Sequence, residues 1–132
     1  MDPSDTNARH KLPPSLIPAV QLAMHANPGA MVTVLNRQDR FCFVSPTVAP
    51  LFGYTPAEVI GRHFTEFFTA DDADHIRLAL TDAELNGQSV SITRNVRLKD
   101  SGFRTMKGPA RAISDADTRE LYELAIGWPV DR

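Results

Sequence analysis

Between residues 52 and 64 the chain reads Phe52-Gly53-Tyr54-Thr55-Pro56-Ala57-Glu58-Val59-Ile60-Gly61-Arg62-His63-Phe64, where apolar residues are interrupted by Gly and Pro too often for a long helix. Pro46 and Pro50 precede it with the same effect. Residues 46–68 therefore read as short helical turns that carry Val48, Leu51, Phe52, Val59, Ile60, Phe64, Phe67 and Phe68 over a core. Upstream, residues 30–35 and 41–44 are dense apolar runs with β-branched members, joined through the polar Asn36-Arg37-Gln38-Asp39-Arg40 as a hairpin. Downstream, Thr69-Ala70-Asp71-Asp72 supplies a cap and an acidic first turn, and Asn86-Gly87 a stop. A longer helix over about residues 71–85 follows, with Ile76, Ala79, Leu80 and Ala83 on its apolar face. Three strand-like segments at 89–99, 103–114 and 119–128 come last, separated by Asp100-Ser101-Gly102 and Asp115-Ala116-Asp117. The helical segment lies between two groups of strands, and each strand needs a covered face. The predicted class is α+β, a five-stranded antiparallel sheet with short helices and one longer helix on one face, plus an N-terminal amphipathic helix.

That first helix spans residues 15–27, with Ser15 as N-cap, Pro18 in the permissive first turn, and Leu16, Ile17, Val20, Ala23 and Met24 as its stripe. Residues 1–14 are polar with three prolines and are expected to form a disordered tail, leaving 28–130 as the folded domain. The 132 residues suit one domain, and 42% apolar with 23% charged residues is an ordinary globular balance. No apolar run nears the ~20 residues that span a bilayer, and MDPSDTNARHKLPP lacks a signal-peptide pattern, so a cytoplasmic chain with no membrane partner is expected. Fourteen Lys and Arg stand against sixteen Asp and Glu without blocks of either sign, which argues against nucleic acid as a partner. Cys42 stands alone, excluding an internal disulfide or a multi-cysteine metal site, and His10, His25, His63 and His75 show no metal-ligand spacing.

The stretches Val34-Leu35-Asn36-Arg37-Gln38-Asp39-Arg40-Phe41-Cys42-Phe43-Val44-Ser45-Pro46 and Leu51 to Phe64, then Asp71-Asp72 and Leu98-Lys99-Asp100-Ser101-Gly102-Phe103-Arg104, resemble the PAS sensor domain pattern across roughly residues 28–130. The resemblance implies a sensory module that binds a small molecule between sheet and helices, or pairs with another such domain. It would pass the change to an output module or partner protein, as in two-component regulation. The family hosts haem, flavin, organic acids, fatty acids and empty pockets, so the resemblance does not name the ligand. A light-oxygen-voltage flavin sensor would carry a reactive cysteine shortly after Gly61-Arg62, where this chain has Phe64; Cys42 reads as a small core residue. No asparagine or glutamine placement suits a noncovalent flavin. Haem-binding relatives place a histidine on the longer helix near the position of His75, twelve residues before Gly87, so haem through His75 is an alternative, although a solvated histidine near an acidic helix start is the plainer reading.

Residues 90–98 carry the clearest anomaly. Val90, Ile92, Val96 and Leu98 alternate on one face, and the middle of that face is Arg94. A buried guanidinium needs a carboxylate, a ligand anion or a bulge that turns it outward, so Arg94 is an anion clamp for a carboxylate-bearing ligand, half of a salt bridge, or a residue at an exposed edge. Met106, Gly108, Ala110 and Ala112 alternate on the next strand as small residues that leave room or admit a helix, while Pro109 predicts an irregular ladder there. The candidate ligand contacts are therefore Arg94, Met106, Gly108, Phe64 and His75. No nucleophile motif, phosphate loop or meaningful carboxylate pair is present, and no enzyme is expected. The N-terminal helix and the outer sheet face are expected to form a homodimer, the rival being that the helix folds back on its own sheet. The chain ends near the point where the family's last strand gives way to a signalling linker, as either a fragment or a small stand-alone protein would.

Overall fold

The computed structural model describes residues 11–130. Most of the tail expected at 1–14 lies outside the described residues, and its last residue already belongs to a 3-10 turn, Pro14–Leu16. Helix α1 (Ile17–Ala26) follows, with Pro18 in its first turn as expected. Next come strands β1 (Met31–Leu35) and β2 (Phe41–Val44), helices α2 (Val48–Phe52) and α3 (Pro56–Val59), and a 3-10 turn at Phe64–Phe67. Helix α4 (Ala70–Asn86) and strands β3 (Val90–Arg97), β4 (Phe103–Ser114) and β5 (Leu121–Pro129) complete the chain.

Local chemistry sets these boundaries. In the β1–β2 turn the Asn36 Oδ1 accepts from the backbone N–H groups of Gln38 and Arg40, and Asp39 takes the left-handed conformation at φ 61°. Gly53 ends α2 at φ 89°, and Thr55 and Glu58 close a reciprocal capping box on α3. Thr69 caps α4 by accepting from the Asp72 N–H at 3.2 Å.

The five strands form one antiparallel sheet in the order β2-β1-β5-β4-β3. Its two faces bury separate cores. Inward, Met31, Leu35, Phe41, Ile92, Val96, Met106 and Ala110 meet Phe52, Val59, Phe64, Phe67, Ile76 and Leu80 from the helical side. Outward, Val32, Val34, Cys42, Ile113, Tyr122 and Leu124 are covered by Leu16, Val20 and Ala23. The N-terminal helix thus folds back on its own sheet. Ser15 does not cap it: its hydroxyl donates to Asp115 Oδ1 at 2.5 Å and accepts from the Ala116 N–H, tying the helix start to the β4–β5 turn. Ile17 is also misplaced by the helical stripe, being 41% exposed. No helix among the described residues is long and apolar enough to cross a membrane.

Candidate functional site

Between the inner sheet face and the helices lies a cavity of about 70 Å³. Residues 61–64 run antiparallel along β2, with Gly61 N–H donating to the Phe41 carbonyl, Phe41 N–H to that of Arg62, and Phe64 N–H to that of Asp39. This pairing swings Phe64 and the following turn over the sheet. Phe67 packs edge-on against Phe41 and Tyr54, with centroids 5.5 and 5.3 Å apart, and the cavity wall there is aromatic. The remaining lining is apolar, aliphatic or aromatic, apart from Thr33, Arg94 and Glu123.

Arg94 is the feature of consequence. It is 6% exposed, and no carboxylate among the described residues pairs with it. Its hydrogen bond is Nη1 to the Ile92 carbonyl at 2.9 Å, one of five donors. Burial pushes the guanidinium down to about 10, still protonated at neutral pH. The side chain lies along the sheet and is accommodated because Gly127 on β5 has no Cβ; one placed there would sit 2.7 Å from Nη2. A buried cation with no carboxylate beside it is a group that an anion would stabilise.

Glu123 marks the other end. It shares the inner face of β5 with Ala125 and Gly127, is 5% exposed, and lines both this cavity and a polar cleft on the far side formed by Asn36, Arg37, Asp39, Arg77 and Glu84. Arg77 from α4 reaches it with Nη1 at 3.2 Å and Nη2 at 3.3 Å, and also pairs with Asp39. Burial, and a hydrogen bond shared with Glu84, push the Glu123 carboxyl up to about 7, while Glu84 is lowered. The Arg77 guanidinium lies 5.5 Å over the Phe64 ring, so the polar cluster packs directly against the cavity wall.

The sequence profile of the PAS fold matches residues 41–125. The chain belongs to the PAS fold family. This PAS domain is 27% identical over 119 residues to the mouse basic helix-loop-helix ARNT-like protein 2, a match covering 86% of this chain and 20% of that protein. In structure it resembles the Drosophila melanogaster Cycle PAS-B solved with bound ethylene glycol, at TM-score 0.68 and 20% identity over 75% of this chain and 98% of the other. It also resembles the PAS domain of the Cronobacter turicensis RpfR quorum-sensing receptor in complex with BDSF, at TM-score 0.64 and 20% identity over 80% and 97%. The family comprises sensory and interaction modules.

Within the PAS domain, the residues singled out by sequence fall into three groups. Arg94 and Phe64 line the cavity. Met106 is fully buried, pairs with Arg94 across β3 and β4, and supports it without lining the space. Gly108 and His75 do not belong there. A Cβ at Gly108 would collide with the Ile126 carbonyl, so its missing side chain admits the β5 backbone, not a ligand. This close approach falls where the β4–β5 ladder skips from Lys107↔Trp128 to Ala110↔Ala125, an interruption beside Pro109 without a change of register. His75 is exposed on α4, one residue and about 100° of helix from the buried Ile76, so haem held through it does not fit this cavity. Glu123 and Gly127 escaped the sequence reading. Their signal was the small and charged set Glu123, Ala125 and Gly127 alternating with Tyr122, Leu124, Ile126 and Trp128.

Proposed function

We propose that this PAS domain is a cytoplasmic sensory module that binds a small apolar carboxylate between sheet and helices and passes the resulting rearrangement to an output module. The observation that carries this is Arg94, a buried guanidinium with no carboxylate partner among the described residues, facing an apolar cavity. The RpfR neighbour, solved with BDSF in its PAS domain, supports ligand binding as a use of this fold. Nothing in the cavity lining supplies a nucleophile with its base, which favours binding over catalysis. The test is thermal unfolding with octanoate and with octanol. A ligand of the native state raises the melting temperature, and a carboxylate-specific rise that disappears in Arg94→Met supports the reading. Equal responses to acid and alcohol would remove Arg94 as an anion site.

A second reading is pairing between copies. The outer face of β4 and β5 beyond α1 leaves Phe103 at 42% and Trp128 at 38% exposure, and α1 exposes Leu22 at 69%. Sedimentation of the chain and of Trp128→Ser tests it: a dimer that the substitution dissociates supports pairing through this face, and a monomer at all concentrations opposes it.

A further inference from the structure

The polar groups of the cavity are arranged along β5. The Arg94 guanidinium lies against Gly127, Thr33 pairs with Ala125 near the middle, and Glu123 closes the other end. Gly127 and Glu123 are four residues apart on one strand, about 13 Å at ~3.3 Å per residue. Between them the lining is aliphatic or aromatic, including Leu35, Phe64 and Ala125. At ~10–15 Å³ of such space per water, the 70 Å³ cavity takes about five waters, which suits a slender chain and not a fused-ring cofactor.

The two ends differ in what they ask of a ligand. Arg94 offers hydrogen-bond donors and positive charge. Glu123 offers carboxyl oxygens that accept from both Arg77 Nη atoms and share a hydrogen bond with Glu84, which leaves one acceptor position for a ligand. Its surroundings are Arg77 and Glu84 from α4, with Asp39 and Arg37 from the β1–β2 turn, so the cluster carries both signs and does not present a second uncompensated cation. A plain fatty acid would satisfy Arg94 and leave a methyl group against a carboxyl.

We infer that the cavity is built for a two-headed ligand, a slender aliphatic carboxylate whose acid end pairs with Arg94 and whose far end carries a hydroxyl or amine that donates to Glu123. This rests on the reading of Arg94 as an anion site. Calorimetric titration of the full chain with hexanoate, octanoate and decanoate, and with the ω-hydroxy acid of each length, separates the two claims. One ω-hydroxy acid is expected to bind about tenfold tighter than the plain acid of equal length, the worth of a hydrogen bond to a charged or ionisable group. The advantage is expected to persist in Glu123→Gln, which keeps an acceptor, and to vanish in Glu123→Met. Equal affinities for plain and hydroxylated acids, both lost in Arg94→Met, overturn the two-headed assignment and keep the anion site. Binding of neither series overturns both. The wild-type comparison decides the matter even where a Glu123 variant does not fold.

Discussion

Gly127 of β5 lies against the guanidinium of Arg94 on β3, so close that a single added carbon would reach to 2.7 Å of Nη2. The glycine therefore sets where the charge can rest. Gly127→Ala is expected to displace the guanidinium and weaken carboxylate binding, with a loss of about 1–3 kcal/mol in stability from overpacking. Arg94→Met is expected to hold or raise stability, because it removes an unpaired buried charge while keeping a flexible chain of similar length. The double variant should be less destabilised than the sum of the singles, since the clash partner is gone. Urea unfolding of the four proteins measures all three expectations.

Filling the cavity should separate stability from binding. Ala125 lines it from the centre of the sheet. Ala125→Leu is expected to stabilise the fold by about 1–2 kcal/mol, following ~24 cal/mol per Å³ of cavity filled, and to abolish the thermal response to octanoate. A variant that is more stable and still binds would show that the ligand sits elsewhere.

Glu123 gives the fold a pH signature. Burial raises its carboxyl from 4.5 to about 7, so between these values the native state holds a proton that the unfolded chain has released. Its contribution is fully present below pH 4.5 and is lost as pH rises through 7. Glu84, whose carboxyl is lowered, acts in the opposite sense below pH 4.5, leaving the window between to Glu123. Relative to wild type, Glu123→Gln should gain stability steadily from pH 4.5 to 7 and level off above. Urea titrations at stepped pH record this difference, and a flat profile would contradict it.

Cys42 should be chemically silent. It is buried on the outer face of β2, its thiol donates to the Val34 carbonyl at 3.5 Å, and burial pushes it up to about 12. The thiolate is the nucleophile, so labelling by a disulfide reagent at pH 8 should be at least ~100-fold slower in the native protein than in urea. The residual native rate should track opening of the α1-covered core, and fast native labelling would show that this core is open.

The run from Phe52 to Phe64 was readable because turn chemistry is local: the left-handed Gly53 and the Thr55–Glu58 capping box depend on residues within four positions of each other. Arg94 was readable because strand alternation has a period of two, and a charge inside an apolar alternation stands out wherever the strand lies. Helical position was less forgiving. His75 and Ile76 are neighbours in sequence yet lie about 100° apart around α4, so a one-residue shift separates cavity from solvent.

The sequence by itself determined the elements, their order and the PAS family, along with one buried cation that needs an explanation. Only the tertiary structure decided which face of β5 meets the cavity. In that strand Tyr122, Leu124, Ile126 and Trp128 form the apolar row, and alternation alone would turn them toward the main core. Helix α1 covers the outer face and buries Tyr122 and Leu124 there, which turns Glu123 and Ala125 to the cavity and Gly127 to Arg94. Local pattern distinguishes the two faces of a strand, but when both are covered only the packing of distant segments determines which one becomes the site.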